Sequence, residues 1–213
     1  MMGVGGAASL ALSLRLMLVT DDRLLKDRDL VDVCQAAEEG GVTSIQLRLK
    51  RVASRRLLAL ARAARTAIRI PLLVNDRVDV ALAAGVSGAH LGTDDLPIAQ
   101  ARRIVPAGFW LGGSVGIESE IPGGAEADYW GIGPVRATST KSDAGRALGV
   151  EGFERLRRAS APFCPCVAIG GIQPEDVGAL FAAGAAGVAV ASGILDADDV
   201  MAAAARYRDA IPD

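Results

Sequence analysis

Short apolar runs rich in β-branched residues alternate along the whole chain with Ala/Leu/Arg-rich stretches of helical period. The runs predict strands over 14–20, 44–50, 71–76, 88–92, 109–115, 129–135, 166–171 and 187–192. Between them the period predicts helices near 29–40, 53–67, 77–84, 97–105, 150–159, 174–183 and 197–210. The stretch from Gly116 to Asp128 contains Pro122-Gly123-Gly124, so any helix there is short or distorted. The pattern Ala-Ala-Gly-x-x-Gly recurs at 83–88 and 182–187, each time ending a helix in a glycine cap that leads into a strand.

Eight such units in 213 residues leave about 27 residues each, compact for a barrel. No linker, charge run or low-complexity tract divides the chain. The pattern therefore predicts α/β architecture, a single-domain (β/α)8 TIM barrel over 1–213. Residues 1–12 form an N-terminal extension that need not be ordered, and a doubly wound open sheet is the runner-up.

Composition narrows the partners. The formal charge is −2, and aromatic residues make up only 4% of the chain, too few for a base-stacking platform. Nucleic acid is not an expected partner. The apolar start of the chain lacks a basic leader and is too short to span a bilayer, so no membrane segment is expected. Cys34, Cys164 and Cys166 are odd in number and lack zinc spacing, which fits reduced thiols in a cytoplasmic protein. A homodimer is the assembly left open. Of the 23 basic residues only Lys26, Lys50 and Lys141 are lysines, so where they fall carries information.

In barrels of this kind the chemistry gathers at the C-terminal strand ends. Alternation along Gln46-Leu47-Arg48-Leu49-Lys50 puts Gln46, Arg48 and Lys50 on one face and both leucines on the other. A polar triplet pointing into a barrel calls for an anionic ligand, because an unpartnered buried cation is costly. The third strand runs into Asn75-Asp76 and the fourth into Asp94-Asp95, so adjacent strands deliver two carboxylates to one rim. Beside cations, such a pair suits a magnesium–diphosphate site, although Asn75-Asp76 could equally cap the next helix. His90, the only imidazole, sits in an apolar strand and reads as a hydrogen-bonded core residue. The Gly170-Gly171 and Ser192-Gly193 turns follow strands seven and eight, the recurrent phosphate site of these barrels.

From Leu16 to Ile194 the chain resembles the thiamine phosphate synthase family. The resemblance is carried in order by VTDDR, QLRLK, NDRVDVALAAG, GAHLGTDD, GGS, ADYWGIGPV, TSTK, AIGGI and VASGI. It implies a transferase that joins an aminopyrimidine methyl diphosphate to a thiazole phosphate and releases diphosphate. It further implies that Gln46, Arg48, Lys50, Asn75, Ser114 and Lys141 bind the pyrimidine diphosphate, with Arg48, Lys50, Ser114 and Lys141 nearest the chemistry. Asp76 and Asp95 would hold Mg2+, and Thr138, Ser139, Thr140, Gly171, Ala191 and Ser192 the thiazole phosphate. The 136–148 loop is expected to close over substrate.

Three positions depart from the family pattern. Leu49 replaces the usual Glu, Gly116 the usual His, and Thr93 a Gln or Pro. The rival readings are a thiazole tautomerase-like paralogue, a non-catalytic phosphate-ligand sensor, and another phosphosugar barrel.

Overall fold

In a computed structural model, the described residues are 10–121, 127–138, 145–160 and 164–212. Eight parallel strands close into a barrel in chain order. They are β1 (Leu16–Val19), β2 (Ser44–Leu47), β3 (Leu72–Asn75), β4 (Gly88–Leu91), β5 (Trp110–Val115), β6 (Tyr129–Ile132), β7 (Cys166–Ile169) and β8 (Gly187–Val190). The helices are α1 (Leu30–Glu39), α2 (Ser54–Ala67), α3 (Val78–Ala84), α4 (Ile98–Arg102), α5 (Gly149–Ala159), α6 (Pro174–Ala182), α7 (Ser192–Leu195) and α8 (Val200–Ala210). β8 pairs with β1 through Leu16 and Val188, so the sheet has no edge and the doubly wound alternative is set aside.

Local chemistry accounts for the elements. In α1, Leu30, Val33, Cys34 and Ala37 are buried at helical spacing, and Asp29 caps the first turn by accepting from the Val31 and Asp32 amides. Pro174 opens α6 at a position that needs no amide donor. Gly85 and Gly184 both take left-handed backbone, as the repeated Gly pattern predicts. After β5 the described residues hold only a 3-10 turn, Glu118–Glu120, in keeping with the Pro-Gly-Gly break.

The strands carry two cores. Leu16, Leu18, Ile45, Leu47, Leu72 and Val74 pack outward beneath the helices. Met17, Val19, Leu73, Tyr129, Val167 and Ala189 point into the lumen. Tyr129 fits there because Gly112 stands opposite, where a Cβ would lie 2.2 Å from the ring. Of the N-terminal extension expected over 1–12, residues 1–9 lie outside the described residues. Leu10, Ala11, Leu12 and Ser13 instead form a helical turn. Leu10 and Leu14 bury themselves in the lumen cluster, closing the barrel floor with apolar surface. No helix among the described residues is long and apolar enough to cross a membrane. Cys34, Cys164 and Cys166 are free, and burial pushes the Cys34 and Cys164 thiols up to about 12, which keeps both protonated.

Candidate active site

A cavity of about 580 Å³ opens at the C-terminal strand ends. Every strand contributes to its wall, the largest share coming from the loops that follow them. Gln46, Arg48, Lys50, Asn75, Asp76, Asp95, Ser114, Thr138, Gly171, Ala191 and Ser192 all line it. Ser139, Thr140 and Lys141, with the centre of the 136–148 loop, lie outside the described residues.

The β2 end has the geometry its alternation implies. Leu47 and Leu49 join the outer core, while Gln46, Arg48 and Lys50 face the cavity. The Arg48 guanidinium does not stand alone: its Nη1 donates to Asp21 Oδ2 at 2.5 Å. Lys50 Nζ lies 3.4 Å from Asp76 Oδ2. One strand end thus presents two cations, each with a carboxylate at its side.

The carboxylate pair lies across the β3–β4 rim. Asp76 takes a left-handed φ of 64°, rare for a residue with a side chain. It does not cap α3, whose N-cap is Arg77 with no side-chain bond to the helix amides, so the capping reading of Asp76 is set aside. Burial raises the Asp76 carboxyl above its ordinary value, and a hydrogen bond and like charge from Asp95 add to this against the opposing Lys50. Asn75 Nδ2 donates to Asp76 Oδ1. Asp95 Oδ2 accepts from the Gly92 amide at 2.7 Å, which fixes its approach to Asp76. Asp94, the other candidate in that run, is exposed.

At the inner wall, His90 joins two elements. Its Nδ1 is 3.0 Å from the Tyr129 hydroxyl and its Nε2 3.0 Å from Ser114 Oγ. Tyr129 is fully buried, and that burial pushes its phenol well above the ordinary range, against a hydrogen bond from Gln46. The solitary histidine is therefore a hydrogen-bonded wall residue, as its apolar strand suggests.

The opposite wall is backbone. Gly170 and Gly171 have φ of 99° and 65°, and a Cβ on Gly171 would lie 2.9 Å from Arg136 Cβ and 3.0 Å from the Ala137 carbonyl. Both glycines line the cavity and bring no side chain to it. Ser192, placed at a strand end by its sequence, instead begins the short helix α7. Arg28 donates from Nη1 to the Ala197 carbonyl at 3.2 Å and from Nη2 to the Leu195 carbonyl, so a cation closes the far end of α7.

Four lining or supporting residues carry no signal in a strand-end reading. Asp21 is foreshadowed only by the need of a buried Arg48 for a partner. Tyr129 looks like any core aromatic, and Arg146 like any loop cation. Glu120 lines the cavity and accepts from the Gly116 amide at 2.5 Å, where the family's usual histidine would stand.

Comparison with known proteins agrees with this geometry. The thiamine monophosphate synthase family model matches residues 16–194. A thiamine-phosphate synthase from Albidiferax ferrireducens is 44% identical over 204 residues, 93% of this chain and 92% of the relative. One from Azorhizobium caulinodans is 47% identical over 196 residues, 90% and 92% of the two chains. A solved thiamine phosphate pyrophosphorylase from Pyrococcus furiosus superposes with a TM-score of 0.83 at 34% identity, covering 94% of this chain and 96% of its own. With the closed barrel and the strand-end cavity in place, these matches establish that the chain belongs to the thiamine monophosphate synthase family.

Proposed function

We propose that this chain is a thiamine-phosphate synthase. It joins 4-amino-5-hydroxymethyl-2-methylpyrimidine diphosphate to thiazole phosphate and releases diphosphate. The observation that carries the reading is a single cavity with two unlike anion walls. One wall holds the Arg48 and Lys50 cations beside the Asp76–Asp95 pair; the other is formed by Gly170-Gly171 and by Ala191–Gly193 at the start of α7.

The reaction needs no nucleophile from the protein. The aminopyrimidine can carry positive charge at its exocyclic methylene, so the carbon–oxygen bond breaks with its electron pair leaving on diphosphate. The thiazole nitrogen then supplies the pair for the new carbon–nitrogen bond. Arg48 and Lys50 stabilise the charge that builds on the leaving oxygens, in a site whose donors are already placed. Lys141, through the family resemblance, adds a third cation. Gln46, Asn75 and Ser114 orient the pyrimidine diphosphate, and His90 fixes the Ser114 hydroxyl. Thr138, Gly171, Ala191 and Ser192 seat the thiazole phosphate, with Ser139 and Thr140 assigned there by resemblance. Holding both substrates in one cavity supplies alignment.

The donor set fits Mg2+. Asp76 and Asp95 are hard oxygen donors close enough to hydrogen-bond, and their mutual repulsion is what a divalent cation relieves. Mg2+ takes one or two carboxylates and completes its shell with water and substrate phosphate oxygens. Bound there, Mg2+ would neutralise charge on the departing diphosphate.

In this reading the partners are small molecules and the enzyme works in the cytoplasm. The test is diphosphate release with both substrates, with and without Mg2+. Magnesium-dependent release with formation of thiamine phosphate is expected. Isomerisation of the thiazole with no diphosphate released would support a tautomerase instead.

A further inference from the structure

The end of β1 grips the end of β2 through three consecutive residues. Thr20 Oγ1 accepts from the Arg48 amide at 2.9 Å. Asp21 Oδ2 accepts from Arg48 Nη1 at 2.5 Å. Asp22 Oδ2 accepts from the Arg51 amide at 2.8 Å. The clamp therefore covers both the backbone and the side chain of the strand end that faces the cavity.

Asp21 is its buried member. Its side chain is 4% exposed and that of Arg48 14%, so neither charge is well solvated without the other. The second carboxylate oxygen, Oδ1, accepts from the Arg23 amide at 2.9 Å. With both oxygens engaged, the carboxylate has one orientation, and the guanidinium corner bonded to it is fixed in space.

We propose that Asp21 is a positioning residue that aims the Arg48 guanidinium at the leaving diphosphate. The inference rests on the reading of Arg48 as a diphosphate ligand. A guanidinium is a rigid planar fork with several donors, so pinning one corner sets the direction of the others. Arg48 lines the cavity, and the edge not taken by Asp21 is the one available to a ligand. The Asp21 charge by itself opposes an incoming anion. Its contribution is therefore orientation, which spares the site a reorganisation as charge develops.

Steady-state kinetics on the full-length enzyme, with both substrates and Mg2+, test this through a double-mutant cycle of D21N and R48M. Asparagine keeps an oxygen in place while removing the charge that locks the pair. D21N is expected to lower kcat/KM for the pyrimidine diphosphate by about tenfold to a hundredfold while leaving KM for thiazole phosphate within about twofold. D21E, which restores a carboxylate, should recover part of the loss. In the R48M background, D21N should add less than about a twofold change, because there is no guanidinium left to aim. An equal loss in both backgrounds would mean that Asp21 supports only the fold, and no loss in the wild-type background would also overturn the proposal. If R48M alone keeps wild-type turnover, the diphosphate role of Arg48 falls, and this inference with it. If R48M is impaired while D21N is not, only the role of Asp21 is lost.

Discussion

His90 Nε2 lies 3.0 Å from Ser114 Oγ, so the one imidazole of the chain holds a hydroxyl of the cavity wall. The other ring nitrogen is set by the Tyr129 hydroxyl, 3.0 Å away. Because burial pushes the Tyr129 phenol upward, it keeps its proton at any pH where the enzyme works. The ring is thus tied at both nitrogens, and Ser114 inherits that order. Tyr129→Phe removes one tie, the hydroxyl at His90 Nδ1. It should cost about 1–3 kcal/mol in urea unfolding and lower turnover as well. Ser114→Ala should reverse the balance, with less than about 1 kcal/mol of stability lost and a larger fall in turnover.

Burial and the neighbouring Asp95 disfavour the ionised form of Asp76. Burial first, and then the hydrogen bond and charge of Asp95, raise its carboxyl above the ordinary 3.8, with Lys50 opposing. The native state therefore keeps this proton to higher pH than the unfolded chain. Its contribution to stability falls as pH rises from 3.8 through the raised value, and the cost persists at neutral pH. Asp76→Asn removes the charge, and asparagine accepts the left-handed φ of 64°. The metal-free variant should melt higher than wild type at neutral pH, by up to about 4 °C, with the gap narrowing toward acid pH. Added Mg2+ should stabilise wild type and leave the variant unmoved, while turnover falls by about a hundredfold or more. A variant that melts lower, or still responds to Mg2+, would count against the pair as the metal site.

Tyr207 and Gly193 are fitted to each other. The Tyr207 hydroxyl donates to the Ile172 carbonyl at 2.9 Å, tying α8 to the loop after β7. A Cβ on Gly193 would fall 1.9 Å from that hydroxyl. Gly193→Ala should therefore displace Tyr207 and cost about 1–3 kcal/mol. Tyr207→Phe alone should cost about 1 kcal/mol through the lost hydrogen bond. Together the two changes should cost less than their sum, because the clashing atom is gone. Additive losses in chemical unfolding would show that the contact does not couple the loops.

The barrel was legible in the sequence because each strand has its own periodic signature, and each observed strand falls within the run that predicts it. The ends are shorter than predicted for a physical reason. Residues such as Arg48, Asp76 and Gly171 leave the ladder to face the cavity, although their sequence still looks extended. The triplet at Gln46, Arg48 and Lys50 was visible from alternation alone, since a strand shows its faces in its spacing. Asp21 was not, because its bond to Arg48 depends on how β1 sits beside β2, a relation no local pattern encodes. The same holds for Tyr129 and Ser114, which meet His90 from β6 and β5 across distances of 39 and 24 residues in the chain. Ser192 misled for the opposite reason: an apolar run continues into a residue that starts α7.

Lys50 stands among few lysines, and its ion pair with Asp76 gives a way to test whether arginine would serve in the proposed site. Its ammonium lies 3.4 Å from Asp76 Oδ2, a loose contact, with the side chain about half exposed at 48%. A compact ammonium can leave one oxygen and turn to a phosphate at little cost. The planar fork of arginine would instead grip both oxygens of Asp76 at once, in competition with a divalent cation. Lys50→Arg keeps the charge and should leave the melting temperature within about 2 °C. The Mg2+ concentration for half-maximal activity should rise by about threefold to tenfold, with a smaller fall in turnover at saturating metal. A Mg2+ titration of initial rates measures both. An unchanged half-maximal concentration would mean that Lys50 and the cation do not share Asp76.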